Sequence, residues 1–434
     1  PVEISTVTLR NIFSSNYKWY KDHPVGRVEV RSNVNLPFRN VKVSFRLKDY
    51  TDFATDKTIQ RLGAKQKASV DLYATLNNRI LEVTEDTPIQ AEIQLTYFEK
   101  GEKQEVSKAL PLRIYSLNAV TWEDPRRIAN YVTTNDPPVK TLKADILNSA
   151  PEGPRAAAYL NENVVTAMTL WEGLSAAGVR FQASASNPFE KVSEDPAFPV
   201  DYTQFPRETL RLKSGECDDL ATLLASLLEA AQVQAVLIDY PGHIALAFDS
   251  DSNDAVEVGM PEDKLIEHRG RFWVPLEPTL IGSSFDESLR KAAFAYKEMA
   301  GQGKAKLIDL REAWKSYAPA TLPPEKQETL RPDADAFRKG FGKAAEAVLK
   351  LRYEHLTGLL KGILAKDPKD VARRNHLGIV YAQHGKMDAA VKEFEKALET
   401  APDHAATVNN LGSAAFVKED YEAAKAHFEK AARL

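Results

Sequence analysis

The C-terminal part of the chain repeats itself after 34 residues, and no other sequence feature restricts the fold as strongly. Five small or apolar positions recur in register: Leu377 with Leu411, Gly378 with Gly412, Ala390 with Ala424, Phe394 with Phe428, and Ala397 with Ala431. A repeated segment of this length is a supersecondary unit that cannot bury its apolar face alone, so neighbouring copies must stack. The period therefore predicts stacked helix pairs over residues 335–434.

These positions resemble the tetratricopeptide repeat. Pro402 and Pro368 stand at the same offset, which predicts a third, degenerate repeat from about residue 337 with Leu356, Leu360 and Ile363 in its second helix. The resemblance implies a concave face that binds a protein partner. We expect that face to show Asn375, Ile379, Gln383, Asn409, Ser413 and Phe416. A rigid support for the preceding domain is the alternative role. Because the last helix has no polar cap after it, we expect that sequence is missing beyond it.

The N-terminal region, residues 1–117, shows a different period. Apolar and polar residues alternate over six segments, at 2–7, 26–30, 41–47, 68–73, 89–95 and 110–114. A period of two with one apolar face predicts half-buried antiparallel strands. Their number and spacing resemble a seven-stranded immunoglobulin-like β-sandwich. We expect it to be a spacer that positions the next domain, and an adhesion or docking module is the alternative.

The middle region, residues 118–330, contains the only cysteine of the chain. Cys217 follows Ser214-Gly215-Glu216 and opens an apolar segment that predicts a helix to about residue 231. A helix N-terminus favours a thiolate, because its unpaired N–H groups and its dipole attract negative charge. The next segments predict a strand to Tyr240, a Pro-Gly turn and a second strand that begins at His243. An imidazole near the thiol could act as its base, although most free cysteines are inert and buried.

A histidine base needs a third group that fixes its tautomer and its ring plane. The candidates are Asp249, Glu257 on a predicted next strand, and Glu277. Asp249 would lie about 20 Å along the strand from His243, which is out of reach. Both glutamates remain possible from their positions alone.

The order Gly-x-Cys-x-Asp, helix, strand, Gly-His, strand resembles the transglutaminase-like, or papain-like, cysteine enzymes. The segment Trp273-Val274-Pro275-Leu276-Glu277-Pro278-Thr279 is similar to the family's Trp-x-x-Leu-Asp-Pro-Thr strand, whose Asp orients the catalytic His. The resemblance implies a catalytic set of Cys217, His243 and Glu277, with Glu where the family has Asp. It does not identify the second oxyanion donor, for which Gln204, Gln182 and a Trp N–H are the candidates.

Further segments of the middle region predict helices at 126–133, 139–148, 155–176, 285–299 and 306–317. A polar stretch at 178–206 precedes the cysteine helix and predicts a long loop that forms one wall of a substrate cleft.

The whole chain is therefore expected to be a multidomain α+β protein with a β-sandwich, a transglutaminase-like core and helical repeats.

Composition narrows the function. The chain has 434 residues, 43% of them hydrophobic, and a net charge of −4, which argues against a nucleic-acid partner. No apolar run is long enough to span a membrane. The chain has one cysteine and no His-x-x-x-His pair, so we expect no metal site. We expect no cofactor either.

We therefore predict a thiol acyl-transfer enzyme that acts on peptide-like amides, with hydrolysis favoured and a cross-linking transglutaminase as the alternative. The partners would be a peptide or protein substrate and a protein bound by the repeats. A catalytically silent scaffold is the non-enzymatic alternative. The combination of sandwich and repeats resembles bacterial envelope proteins, which implies a periplasmic or extracellular location.

Overall fold

A computed structural model describes residues 1–183, 200–326 and 330–434. Its three parts follow each other along the chain: a β-rich region, a mixed α/β region and a helical region. This architecture confirms the predicted multidomain α+β class. The predicted domain boundaries stay predictions, since the cores of the second and third parts share one helix, described below.

The β-rich region consists of eight strands in two sheets. The strands are β1 (Val2–Leu9), β2 (Ile12–Phe13), β3 (Gly26–Ser32), β4 (Phe38–Leu47), β5 (Thr55–Leu62), β6 (Lys67–Leu72), β7 (Thr87–Glu99) and β8 (Glu102–Tyr115). Their orders are β1-β3-β6 and β2-β8-β7-β4-β5. Inward residues of both sheets, such as Val30 and Phe45, form one core. Short 3₁₀ helices at Ser14–Lys21 and Asn78–Glu82 accompany the sheets.

The predicted alternating segments all fall on strands, whereas no strand was predicted at the position of β5. Its only fully buried residue is Leu62, at its end, so its exposed residues carry no period-two apolar signal.

The mixed region is built around a five-stranded antiparallel sheet. Its strands are β13 (Ala235–Tyr240), β14 (His243–Asp249), β15 (Ile266–His268), β16 (Arg271–Leu276) and β17 (Lys306–Asp309), in the order β15-β16-β14-β13-β17. Two-residue strands form small separate pairs: β9 (Ala119–Val120) with β11 (Asp201–Tyr202), and β10 (Arg180–Phe181) with β12 (Ser214–Gly215).

Helices cover this sheet. They are α1 (Pro137–Asn148), α2 (Glu162–Ala176), α3 (Pro206–Leu212), α4 (Cys217–Ala230), α5 (Ala255–Val258), α6 (Phe285–Gly301) and α7 (Leu310–Ala313). Short 3₁₀ helices lie at Pro125–Tyr131, Arg155–Tyr159, Glu262–Lys264 and Pro278–Leu280. Helix α4 is buried along almost its whole length, and its leucines share a core with Leu246 and Phe248 of β14.

Three expectations for this region differ from the structure. Residues 306–317 do not form one helix: Lys306–Asp309 pairs with β13 and only Leu310–Ala313 is helical. Glu257 lies on the short helix α5 and not on a strand. The residues 155–176 divide into a 3₁₀ helix and α2, because Asn161 caps the start of α2. Most of the loop expected at 178–206 lies outside the described residues.

The helical region begins with a 33-residue helix, α8 (Ala334–Lys366). It is followed by α9 (Val371–Gln383), α10 (Met387–Thr400), α11 (Ala405–Val417) and α12 (Tyr421–Arg433), which form two antiparallel pairs. Phe394 of α10 packs against Gly378 of α9, where an added Cβ would lie 2.4 Å from the ring. The recurring glycine is therefore required by the close approach of each pair.

The predicted third repeat from residue 337 is corrected by α8, because a single continuous helix replaces the expected helix pair. Leu356 and Leu360 are buried in the repeat core as expected, with Leu364 rather than Ile363 completing the face. The first half of α8 contributes Phe337 and Phe341 to the core of the mixed region. One helix thus belongs to two cores, and the core of the mixed region includes residues beyond 330.

Candidate functional site

His243 and Glu277 meet at one end of the central sheet. Strand β14 pairs with β16 so that Leu246 faces Leu276. Extending this register by one residue puts Glu277 opposite residue 245, on the same face as His243 and diagonal to it. The Glu277 Oε2 atom lies 2.8 Å from His243 Nε2. The structure therefore brings together two of the three residues expected in the site.

The Glu277 carboxylate is held on both of its oxygens. Its Oε1 accepts hydrogen bonds from the Thr279 backbone N–H at 3.1 Å and from the Thr279 hydroxyl at 2.6 Å. Its backbone N–H donates to Ser288 Oγ at 2.8 Å, and that hydroxyl donates back to the Glu277 carbonyl at 3.1 Å. The side chain is only 4% exposed, so its position is set by these contacts.

These contacts decide the charge of Glu277. Burial alone would raise its pKa, but the hydrogen bond from His243, the charge of that ring when it is protonated, and the Thr279 hydrogen bonds outweigh burial and hold the pKa below its usual value. A carboxylate can only accept hydrogen bonds, so His243 Nε2 carries the proton between them. The other ring nitrogen, Nδ1, is then left as an acceptor in the neutral imidazole.

Cys217 occupies the first turn of α4, as expected. Helix α4 packs on β14, and the backbone N–H of Ile244, the residue after His243, hydrogen-bonds the Cys217 sulfur. The side chain is 6% exposed. No hydrogen bond joins the sulfur to the His243 ring among the described residues.

The surroundings of Cys217 keep its thiol protonated. Burial raises its pKa well above the usual value, and the Asp218 carboxylate raises it further, while the Ile244 N–H acts in the opposite direction. A thiolate forms at this site only when a nearby base takes the proton, because helix position alone does not overcome burial.

Asp218 and Asp219 build the turn that carries Cys217. Asp219 accepts from the backbone N–H of Glu216 at 2.9 Å and of Gln204 at 2.7 Å, while Asp218 accepts from the Thr203 hydroxyl at 2.6 Å. Burial raises the pKa of Asp219 to about 7. Burial and the neighbouring Asp219 raise that of Asp218 well above its usual value. The need for Gly215 follows from the same turn, since an added Cβ would lie 2.6 Å from Asp219 Cβ.

The remaining candidates lie elsewhere or act differently. Glu257 accepts a hydrogen bond from Ser252 at 2.7 Å, and Asp249 pairs with Arg271 at 3.0 Å. The indole N–H groups of Trp122, Trp171, Trp273 and Trp314 donate to other groups, which removes these four as oxyanion donors.

Two glutamines remain beside the start of α4. Gln182 donates its backbone N–H to the Gly215 carbonyl at 2.9 Å. The backbone N–H of Gln204 donates to Asp219, and its side-chain Oε1 is buried without a hydrogen-bond partner among the described residues.

Sequence reasoning missed three residues of the site. Thr279 is the most important, and its signal was available, because a carboxylate before Pro and Thr has the spacing of a cap for a short helix. Ser288 is distant in sequence and left no such signal. Tyr240 lies opposite His243 in the β13–β14 hairpin, with its ring parallel at an interplanar angle of 2° and a centroid distance of 6.1 Å.

No group of three or more His, Cys, Asp or Glu side chains within residues 1–183, 200–326 and 330–434 is arranged to hold a metal ion. Across the same described ranges, no helix is both long and apolar enough to cross a membrane.

The face expected on the repeats is partly used inside the array. Asn375 is buried, and its Oδ1 accepts from Thr407 at 3.0 Å and from Asn410 at 2.9 Å. Gln383 accepts from Arg352 at 3.0 Å. These two residues therefore connect helices, whereas Asn409, Ser413 and Phe416 are exposed as expected.

The family model of the tetratricopeptide repeat matches residues 373–404 and 405–434. The match confirms the predicted repeats in these two segments, and repeats of this kind present concave surfaces to other proteins. No curated protein is significantly similar in sequence to the chain. The transglutaminase-like resemblance of the mixed region stays a prediction.

Proposed function

We propose that the chain is a thiol acyl-transfer enzyme of transglutaminase-like type that acts on peptide-like amides. The observation that carries the proposal is the 2.8 Å contact between His243 Nε2 and Glu277 Oε2, beside a cysteine whose sulfur contacts the next backbone N–H after His243. A buried carboxylate that orients a histidine next to a cysteine is the arrangement that nucleophilic thiol catalysis requires.

In the proposed reaction the Cys217 thiol gives its proton to His243 Nδ1 as the sulfur attacks the amide carbon. A C–S bond forms and the carbonyl oxygen becomes an oxyanion. The C–N bond then breaks, and the proton on Nδ1 passes to the leaving amine. Water or a second amine attacks the thioester, which releases the acyl group and restores the thiol. Glu277 stabilises the imidazolium throughout, because its low pKa keeps it charged.

The oxyanion would be stabilised by the N–H of Cys217, which has no intrahelical partner at the first helical position. Gln204 is the proposed second donor. Its Oε1 is buried and has no partner within the described part of the chain, and turning its amide would place an N–H group in that position.

Hydrolysis of peptide or cell-wall amides is favoured over cross-linking, as in the sequence analysis. The repeats would hold a protein partner, and joining them to the mixed region through α8 suits a macromolecular substrate. We place this activity outside the cytoplasm, on the fold-level analogy given above.

A catalytically silent scaffold is the second candidate. It is favoured by one observation, the burial of Cys217 that raises its pKa. In that case the Cys217 side chain would be a packing residue and His243 would have no base role.

Alkylation separates the two functions. Because the chain has one cysteine, iodoacetamide incorporation measures Cys217 alone. For an enzyme, we expect wild type at about pH 6 to react at least tenfold faster than His243→Ala, since only the imidazole partner can supply the thiolate there. Equal, slow alkylation of both proteins would reject the enzyme proposal. Cys217→Ala is the blank, and a peptide-substrate screen of wild type and Cys217→Ala then identifies the acyl donor.

A further inference from the structure

A second candidate site lies between the β-rich region and the mixed region, away from Cys217. A cavity of about 520 Å³ opens there. Arg10, Asn11 and Tyr115 line it from the β-rich side, and Thr121, Glu123 and Arg127 line it from the other side. Its volume is that of a small-molecule site, and polar groups from both regions converge on it.

Arg127 is the unusual member of this lining. Its guanidinium carbon lies 5.4 Å from the ring centre of Phe13, 5.6 Å from that of Trp19 and 5.2 Å from that of Tyr317. Among the described residues, its Nε and Nη1 atoms are buried without a hydrogen-bond partner, although the guanidinium also hydrogen-bonds the Tyr20 side chain. Aromatic rings attract a cation but accept no strong N–H hydrogen bonds, so these donors remain unsatisfied.

The charges around the cavity do not compensate for Arg127. Arg10 adds a second positive side chain, and among the described residues of the lining Glu123 is the only acidic one. Within the described part of the chain no ion pair connects Glu123 with either arginine, although Asp124, next along the chain, pairs with Arg126 at 2.7 Å. Counted over the residues that the structure describes, the lining therefore has a net positive charge, and its Arg127 guanidinium has no counter-ion.

We propose that this cavity binds a small oxyanion, a carboxylate or a phosphate, on Arg127 and Arg10. A planar guanidinium offers five N–H donors in the geometry that carboxylate and phosphate oxygens accept. If the Arg127 guanidinium moved a short distance toward the cavity, its Nε and Nη1 donors would form charge-assisted hydrogen bonds with the bound anion. Because the lining comes from both regions, the bound anion would also hold them together. This site is independent of the activity proposed for Cys217.

The test measures anion binding by the full chain. Inorganic phosphate is titrated in one arm and citrate in the other, by calorimetry and by the fluorescence of Trp19 and the other tryptophans. We expect one saturable site with a Kd of about 1 mM or tighter for at least one anion. The arm that saturates distinguishes the phosphate source from the carboxylate source.

Three variants assign the site. Arg127→Met should weaken binding at least tenfold, and Arg10→Gln, an exposed position that spares the core, by about three- to tenfold. Arg39→Gln, an exposed arginine outside the lining, should bind like wild type. Failure of both anions to saturate, or wild-type affinity in Arg10→Gln and Arg127→Met, would overturn the proposal.

Discussion

His243 Nε2 and Glu277 Oε2 lie 2.8 Å apart, on residues that are diagonal neighbours across strands β14 and β16. In the motif that this segment resembles, aspartate stands at the position of Glu277. Here Thr279 binds the second oxygen of the longer carboxylate with both its N–H and its hydroxyl. The site therefore depends on a carboxylate with two occupied acceptor atoms.

The first prediction concerns Glu277→Gln. An amide has one acceptor oxygen, so either His243 or Thr279 would face a donor in place of an acceptor. We expect proton transfer to His243 to be impaired. The rate of Cys217 alkylation, or of substrate turnover, should therefore fall by about 10²- to 10⁴-fold. Glu277→Asp is the control, since it keeps a carboxylate and should lose less. Undiminished reactivity in Glu277→Gln would show that the acid does not orient His243.

The second prediction concerns Thr279→Val, which removes the hydroxyl hydrogen bond to Glu277 and keeps the shape. Thr279 helps to hold the Glu277 pKa down against burial, so its loss should raise that pKa. The acidic limb of the rate profile should then move to higher pH, so that the rate at a fixed pH on this limb falls about three- to tenfold. Thr279→Ser should restore the wild-type profile, and an unshifted limb in Thr279→Val would contradict the role.

The third prediction concerns stability and Glu172. Burial raises the Glu172 pKa to about 7 from 4.5, opposed only in part by the Phe285 N–H. A carboxyl whose folded pKa exceeds its unfolded value stabilises the fold below the unfolded pKa, and this contribution is lost as pH rises through about 7. Its total is on the order of 3 kcal/mol.

Glu172→Gln should remove that pH dependence, so the variant gains stability relative to wild type between about pH 5 and pH 8. Urea unfolding at both pH values, followed by near-ultraviolet circular dichroism, measures the difference. Glu287→Gln, at an exposed position of α6, is the matched control. A constant difference between Glu172→Gln and wild type across this range would disprove the assignment.

The fourth prediction uses the repeat itself. Phe394 and Phe428 occupy the same repeat position, but Phe394 is 1% exposed and Phe428 is 37% exposed. Phe394→Ala should cost about 3–5 kcal/mol of stability, and Phe428→Ala less than half of that. Chemical unfolding of the helical region measures both losses. Equal losses would mean that the exposed face of α12 is covered in solution.

The C-terminal helices show what a periodic sequence pattern can predict about structure and what it cannot. The recurrence of Leu377, Gly378 and Phe394 was enough to place the helix pairs, because each close contact needs a small residue opposite a large one. Upstream of residue 367 the same period predicted a helix pair, which was wrong because α8 is one continuous helix. A sequence period describes which face is apolar, but not whether that face meets one core or two.

The sequence likewise predicted some features of the candidate site and not others. Local chemistry selected Cys217 and His243, since a helix start and a strand start are each readable from a few neighbouring residues. The choice of Glu277 over Glu257 came from the resemblance to a known family motif. Gln204 and Asp219 could be named from sequence, but their contact could not.

The sequence by itself determined the α+β class, the alternating strands and the helix pairs, because these follow from local periods, and it supplied a short list of candidate site residues. Only the tertiary structure decided that His243 contacts Glu277, that Thr279 and Ser288 hold the acid, and that Cys217 is buried with a raised pKa. Likewise, the position of Arg127 among three aromatic rings beside the interregional cavity follows from which distant segments meet. Desolvation and hydrogen-bond geometry depend on neighbours far away in the chain, and no local pattern encodes them.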